Sequence, residues 1–162
     1  MDIPQDAELR FQRISQDTLP ELMDIEHEAY PDPWSQAMFL QEMTNGASHF
    51  YLAFLGDALA GYAGFWQVLD EAHITKLTVA APLRGKGLGK QLLKELCKRA
   101  TEVGALTIRL EVRESNVAAQ HLYEQAGFTL SRRRKNYYSR TGEDALEMAY
   151  TLQTSQPELQ EQ

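Results

Sequence analysis

Arg84-Gly85-Lys86-Gly87-Leu88-Gly89-Lys90 sets three glycines among three cations, between two flanks of different periodicity. Upstream, residues 72–79 contain His73-Ile74-Thr75-Lys76-Leu77-Thr78-Val79, a β-branched, apolar run that predicts a strand. Downstream, Leu88, Leu92, Leu93, Leu96 and Ala100 recur at helical spacing. The predicted order is strand, glycine loop, helix. Glycine tolerates positive φ and lets backbone N–H groups come close to an anion. A helix that starts there adds unpaired donors and the positive end of its dipole, which suits phosphate. The stretch is a candidate pyrophosphate cradle, although a glycine-rich run can also be a plain tight turn. It is not a Walker loop, because Arg84 and Gln91 occupy the positions that would need glycine and Ser or Thr. Nor is it a dinucleotide fingerprint, because a single residue separates Gly87 from Gly89.

Working outward, Phe11 and Ile14 suggest a first strand, and Asp17-Thr18 with Pro20-Glu21 marks a helix start. Leu19, Leu22, Met23, Glu26 and Ala29 then follow helical spacing. Pro31-Asp32-Pro33 interrupts the chain, Ser35 is a candidate cap, and Met38, Phe39 and Met43 give a second helix its apolar side before Asn45-Gly46. These two helices are expected to wall a cleft. Residues 49–55 and 58–69 read as a hairpin turning at Gly56-Asp57, with Gly61 and Gly64 marking weak points or bulges. The loop's helix is predicted over residues 87–103, ending at Gly104. Leu106, Ile108, Leu110 and Val112 alternate with Thr107, Arg109 and Glu111 as a strand, and residues 117–126 form a short helix capped by Ser115 or Asn116. Residues 129–138 and 145–152 are closing strands. Antiparallel strands thus lead into the glycine loop, which a doubly wound dinucleotide fold would not do.

At 162 residues the chain fits one domain, expected over residues 1–152, with a polar and mobile tail at 153–162. A net charge of −7 argues against nonspecific nucleic-acid binding, although Arg132-Arg133-Arg134-Lys135 is locally basic. The single cysteine, Cys97, excludes an internal disulfide and a cysteine metal cluster and reads as a small buried hydrophobe. His27 lacks a second histidine at a metal-ligand offset, so no metal is assigned. No apolar run approaches a membrane span and the first ten residues are polar, which makes the cytoplasm the expected compartment. An acidic surface suits a cationic acceptor, with Asp32, Glu42 and Asp70 as candidate steering groups.

Glu111 stands near the end of a central strand, where ligand crevices of α/β sheets lie, and Tyr123 sits on the next helix. Taken alone, Glu111 would more often be a solvated or salt-bridged carboxylate and Tyr123 a packed aromatic with a hydrogen-bonded hydroxyl. His73 and His121 are expected to pack or meet solvent, since no Ser or Cys nucleophile motif accompanies them.

Arg-x-x-Gly-x-Gly at residues 84–89 resembles the acyl-CoA loop of the GCN5-related N-acetyltransferases. Leu110-Glu111-Val112-Arg113-x-Ser115-Asn116, Leu122-Tyr123-Glu124, Gly127-Phe128 and Asn136-Tyr137-Tyr138, with Pro33-Trp34-Ser35 and Phe39, resemble the bacterial ribosomal-protein alanine N-acetyltransferases of the RimI type. The resemblance implies an α/β (α+β) fold with a mixed, mostly antiparallel sheet and a splayed strand pair at the acyl-CoA site. It implies acetyl-CoA as co-substrate, Glu111 as general base and Tyr123 as general acid or thiolate hydrogen-bond donor. It places Leu77, Thr78 and Val79 on the pantetheine and acetyl group, Arg84 to Lys90 on the pyrophosphate, and Asn116 in polar contact with the cofactor, which a helix-cap role for Asn116 does not exclude. Tyr137 and Tyr138 become a peptide-binding wall or remain plain strand aromatics. The implied acceptor is the N-terminal alanine of the eighteenth protein of the small ribosomal subunit. Other N-termini, lysine side chains, small amines and a non-catalytic acyl-CoA sensor stay open as alternatives. Glu111 fits the task of taking the amine proton, directly or through water, with partial burial raising its pKa toward neutrality.

Overall fold

The computed structural model describes residues 8–152; the expected tail at 153–162 lies outside them. Seven strands form one sheet: β1 (Arg10–Arg13), β2 (Ser48–Leu55), β3 (Ala58–Val68), β4 (Glu71–Val79), β5 (Thr107–Arg113), β6 (Thr129–Tyr138) and β7 (Glu143–Thr151). Four helices accompany them: α1 (Leu19–Ala29), α2 (Gln36–Thr44), α3 (Leu88–Glu102) and α4 (Val117–Gln125). The sheet order is β1-β2-β3-β4-β5-β7-β6, with β4 and β5 parallel and every other neighbouring pair antiparallel. Among the described residues no helix is long and apolar enough to cross a membrane.

Side chains alternate across a strand, so β2 serves two cores at once. Phe50, Leu52 and Phe54 pack with Leu19, Leu22, Phe39 and Tyr62 on the α1–α2 side. Tyr51 and Ala53 pack with the α3 residues Leu92, Leu93, Leu96 and Ala100 on the other. That double burial is why residues 49–55 read as an unbroken apolar run. The β5 residues Ile108, Leu110 and Val112 join the α3 core, leaving Arg109, Glu111 and Arg113 on the opposite face. Leu106 departs from the expected alternation: it precedes β5, is 45% exposed, and spends its backbone on Asp70 and Leu152 at the sheet's end.

Both strand glycines sit beside irregular pairing. The β2–β3 register shifts between Ala53 and Phe54, next to Gly61, and the β3–β4 register shifts between Gly64 and Phe65. A Cβ on Gly61 would stand 2.3 Å from the Thr78 carbonyl oxygen, so glycine there lets β3 and β4 lie close. Ser35 caps α2 by accepting from the Met38 N–H, and Asn116 caps α4 by accepting from the Ala119 N–H.

The feature that shapes the site is a fork. Strands β4 and β5 pair at only three positions, Glu71 with Thr107, Ala72 with Ile108 and His73 with Arg109, and then part. Beyond His73, residues Leu77, Thr78 and Val79 are paired to β3 on one side, and their other main-chain edge faces the fork.

Candidate active site

The glycine loop closes one end of that fork. After Val79 a short 3-10 turn, Ala81–Leu83, leads to Gly85 and Gly87, both at positive φ (78° and 83°), and Gly87 is the residue from which α3 starts. A side chain would be strained there, and α3 opens with its first N–H groups unshared by any capping side chain. A cleft of about 280 Å³ runs along this helix start, lined by Leu77, Val79, Leu83, Arg84, Gly85, Gly87, Leu88, Gly89, Ala118, Ala119 and Leu122. An apolar trench that ends at a helix N-terminus fits a pantetheine chain followed by a pyrophosphate.

Of the sequence-predicted binders, Leu77, Val79, Arg84, Gly85, Gly87, Leu88 and Gly89 meet at this cleft. Thr78, Lys86, Lys90 and Asn116 do not line it. Thr78 points to the opposite face, where its Oγ1 lies 2.6 Å from the Tyr30 hydroxyl. Asn116 spends its side-chain oxygen on the α4 cap. The Arg84 guanidinium turns back to donate to the Val79 carbonyl and to Glu28, 2.9 Å each, so its charge is partly committed to α1. Leu83, Ala118, Ala119 and Leu122 were not legible as lining residues, because small and aliphatic side chains at helix spacing look like any core face.

Glu111 and Tyr123 reach the fork from opposite faces of the sheet. Tyr123 belongs to the α3–α4 core, where its ring packs 5.9 Å from Phe128, and its side chain is almost fully buried. Burial first, then charge interactions with Tyr30 and Tyr138, push its hydroxyl well above the ordinary tyrosine range. Glu111 lies on the other face, opposite Glu147 in the β5–β7 register. One of its oxygens is 3.1 Å from His73 Nε2, and the other lies 3.7 Å from Arg134 Nε.

These partners overturn one expectation. The hydrogen bond with His73, and the charges of His73, Arg134 and Arg132 behind it, outweigh desolvation and hold the Glu111 carboxyl below its ordinary range rather than raising it. Even an ordinary glutamate lies roughly 3.5 pKa units below an α-amine, so direct proton transfer from the ammonium is uphill by about 5 kcal/mol. His73 meets solvent as expected, with its side chain 43% exposed, and is also a direct partner of this carboxylate. The basic run on β6 has a similar local explanation: Arg132 pairs with Glu147, Arg133 with Glu114 and Asp144, and Arg134 stands against Glu111.

A second polar cluster clamps the α1–α2 segment to β4. Glu26 is fully buried and accepts from Lys76 Nζ, from the Tyr62 hydroxyl at 2.7 Å and from the Trp34 N–H at 2.9 Å. The Lys76 ammonium also lies 4.0 Å from the Tyr30 ring centre and 4.5 Å from that of Trp34. Asp32, from the loop that follows α1, binds Arg113 through both oxygens at 2.9 and 2.8 Å, and the Tyr138 ring lies 3.9 Å from the same guanidinium. Tyr137 stacks edge-on against Tyr138 and is half exposed, at a β6 irregularity where Asn136 takes positive φ. Glu42 is no steering group: it is buried and accepts from Ser48 and from the Trp66 indole. Among the described residues no cluster of three or more His, Cys, Asp or Glu side chains is placed to hold a metal ion.

A mixed sheet forked between β4 and β5, with a glycine cradle at the helix start beside the fork, is the architecture of an acyl-CoA N-acyltransferase. Residues 19–128 match the acetyltransferase (GNAT) family, and the chain belongs to it. It is 38% identical over 136 residues to the [ribosomal protein bS18]-alanine N-acetyltransferase of Escherichia coli (strain K12), covering 83% of this chain and 91% of that protein. The crystal structure of the ribosomal-protein-S18-alanine N-acetyltransferase from Escherichia coli superimposes with a TM-score of 0.83 at 32% identity, over 91% of this chain and 96% of that one. Arabidopsis thaliana NAA60 in complex with acetyl-CoA shares the fold at 20% identity, with a TM-score of 0.81 over 89% of this chain and 98% of that one.

Proposed function

We propose that this chain transfers acetyl from acetyl-CoA to the N-terminal α-amine of a protein, and that its acceptor is the N-terminal alanine of ribosomal protein bS18, in the cytoplasm. The observation that carries the transferase reading is the fork, which leaves the 77–79 main chain available beside the glycine cradle. The acceptor rests on the 38% identity with the Escherichia coli enzyme of that name.

Acetyl-CoA supplies an activated acetyl thioester. Leu77, Thr78 and Val79 hold its pantetheine arm through their fork-side main chain, and an N–H among them is the donor for the oxyanion formed at the carbonyl. The cradle from Arg84 to Lys90 takes the pyrophosphate, with Gly85 and Gly87 allowing close backbone approach and Lys86 and Lys90 adding positive charge from its rim. Asn116 caps α4 through its side-chain oxygen, which leaves its amide nitrogen for a polar contact with the cofactor. Glu111 anchors the path by which the amine loses its proton. Tyr123 donates a hydrogen bond to the departing thiolate. Full proton transfer from even an ordinary tyrosine to a thiolate is uphill by about 2 kcal/mol, and the raised Tyr123 pKa adds to that, so hydrogen bonding is its primary role. Tyr137 and Tyr138, beside Arg113 and Asp32, form one wall for the acceptor peptide. No covalent acyl-enzyme is required, because amine and thioester need only be held together.

The test follows acetyl-CoA-dependent thiol release with an alanine-starting peptide of the bS18 N-terminus, its N-blocked form, a lysine peptide with a blocked N-terminus, and small amines. Release with the free alanine peptide alone supports the reading. Release only with lysine or small amines refutes the acceptor, and acetyl-CoA binding with no release for any amine refutes the transferase.

A further inference from the structure

His73 is the last β4 residue paired to β5, so it stands at the apex of the fork. Its side chain is 43% exposed, whereas the Glu111 carboxylate it touches is only 13% exposed. On this face the imidazole is the more accessible of the two groups. The ring nitrogen that faces Glu111 is Nε2, at 3.1 Å. A carboxylate only accepts, so the pair requires a proton on Nε2, and in the neutral ring Nδ1 then holds a lone pair.

We propose that His73 is the proton acceptor of the acetyl-transfer reaction, taking the amine proton on Nδ1, and that Glu111 is the positioning residue that fixes the Nε2–H tautomer. The inference rests on the transferase reading above and refines the role of Glu111 within it. The ammonium of the acceptor gives one proton to Nδ1, and the freed lone pair forms the C–N bond. The C–S bond breaks with its electron pair going to sulfur, which Tyr123 hydrogen-bonds. After attack the nitrogen loses a second proton to solvent and keeps the third as the amide N–H, and the imidazolium returns its proton to solvent before the next turnover. An imidazole is the better match for this task because its ordinary range lies close to that of an α-amine, far above a carboxylate's.

Several charged groups surround the His73–Glu111 pair. Glu111 and Arg109 come from β5, Glu147 from β7, Arg132 and Arg134 from β6, and Glu71 from β4 itself. Across β3 its neighbour is Trp66, whose indole is bound to Glu42 of α2. Three carboxylates, Glu71, Glu111 and Glu147, are thus matched by three guanidinium groups, and Glu111 is the carboxylate in contact with the imidazole.

Two readouts test the proposal. Nitrogen-15 NMR of the four histidines, with His73 assigned by its loss in His73→Gln, reports the tautomer without any ligand. The Nε2–H form is expected in the wild type, with a mixture in Glu111→Gln; an Nδ1–H form at His73 in the wild type overturns the proposal. In kinetics, His73→Ala and His73→Gln should lose about 10²- to 10³-fold in kcat and the acidic limb of the pH profile, with KM for acetyl-CoA within twofold. Added imidazole should restore part of the His73→Ala rate. Variants that bind acetyl-CoA normally and keep the wild-type kcat and acidic limb overturn the role of His73 while leaving the transferase intact. Wild-type protein that binds acetyl-CoA and turns over no amine overturns the transferase reading, and this inference with it.

Discussion

Replacing Glu26 with glutamine should destabilise the fold by about 3–5 kcal/mol, the usual cost of leaving a buried ion without its partner. The site explains why no milder outcome is available. Glu26 is fully buried and takes three donors, one of them the Lys76 ammonium, whose own side chain is only 7% exposed. Glutamine keeps one accepting oxygen but presents an NH₂ group where the carboxylate met a donor, and it carries no charge. Lys76 would retain the faces of Tyr30 and Trp34, a contact worth roughly 2 kcal/mol when desolvated. For a domain of this size each kcal/mol shifts Tm by roughly 2–4 °C, so calorimetry or circular dichroism should show a fall of about 6–20 °C. The double variant Glu26→Gln/Lys76→Met should recover part of the loss, because methionine is tolerated between the two rings and leaves no unpaired charge. A single variant within about 2 °C of wild type, or two strictly additive substitutions, would refute the account of Glu26 and Lys76 as one coupled unit.

Three further outcomes follow from particular contacts. Gly61→Ala places a methyl 2.3 Å from the Thr78 carbonyl and must push β4 outward, so acetyl-CoA affinity, read by isothermal calorimetry, should fall together with a stability loss of about 1–3 kcal/mol. Burial raises the Cys97 thiol to about 11, above the unfolded value of about 8.5. Its contribution is complete below the unfolded pKa and is lost as pH rises through the folded one, so Tm should fall between about pH 8.5 and 11, and Cys97→Ala should flatten that slope. Tyr123→Phe should lower kcat by about 10- to 100-fold with little change in KM for the peptide, and an unchanged kcat would remove its hydroxyl from the reaction.

Most of the fold was legible because periodicity and punctuation agreed. The alternation at Ile108, Leu110 and Val112, the caps at Ser35 and Asn116, and the glycine loop between strand and helix each named their element locally. What stayed hidden depended on partners distant in sequence. Glu26 shares its helical stripe with Leu19 and Leu22, and only Lys76, fifty residues on, shows why a carboxylate belongs there. His73 and Glu111 lie thirty-eight residues apart, so neither their contact nor the lowered carboxyl pKa is visible in a local motif. Glu42 looked like an exposed acid because Ser48 and Trp66 fold over it from β2 and β3. Arg132 to Lys135 read as no more than a locally basic run because the carboxylates beneath three of its members come from β5, β7 and their flanking loops.

The central claim is that this fork carries acetyl to an N-terminal α-amine. Its most direct test is fragmentation mass spectrometry of full-length bS18, bearing a free N-terminal alanine, after incubation with the protein and acetyl-CoA. A single added acetyl located on the alanine nitrogen is the predicted result. Acetyl found only on lysine side chains, or unmodified bS18 in the presence of protein that demonstrably binds acetyl-CoA, would contradict it.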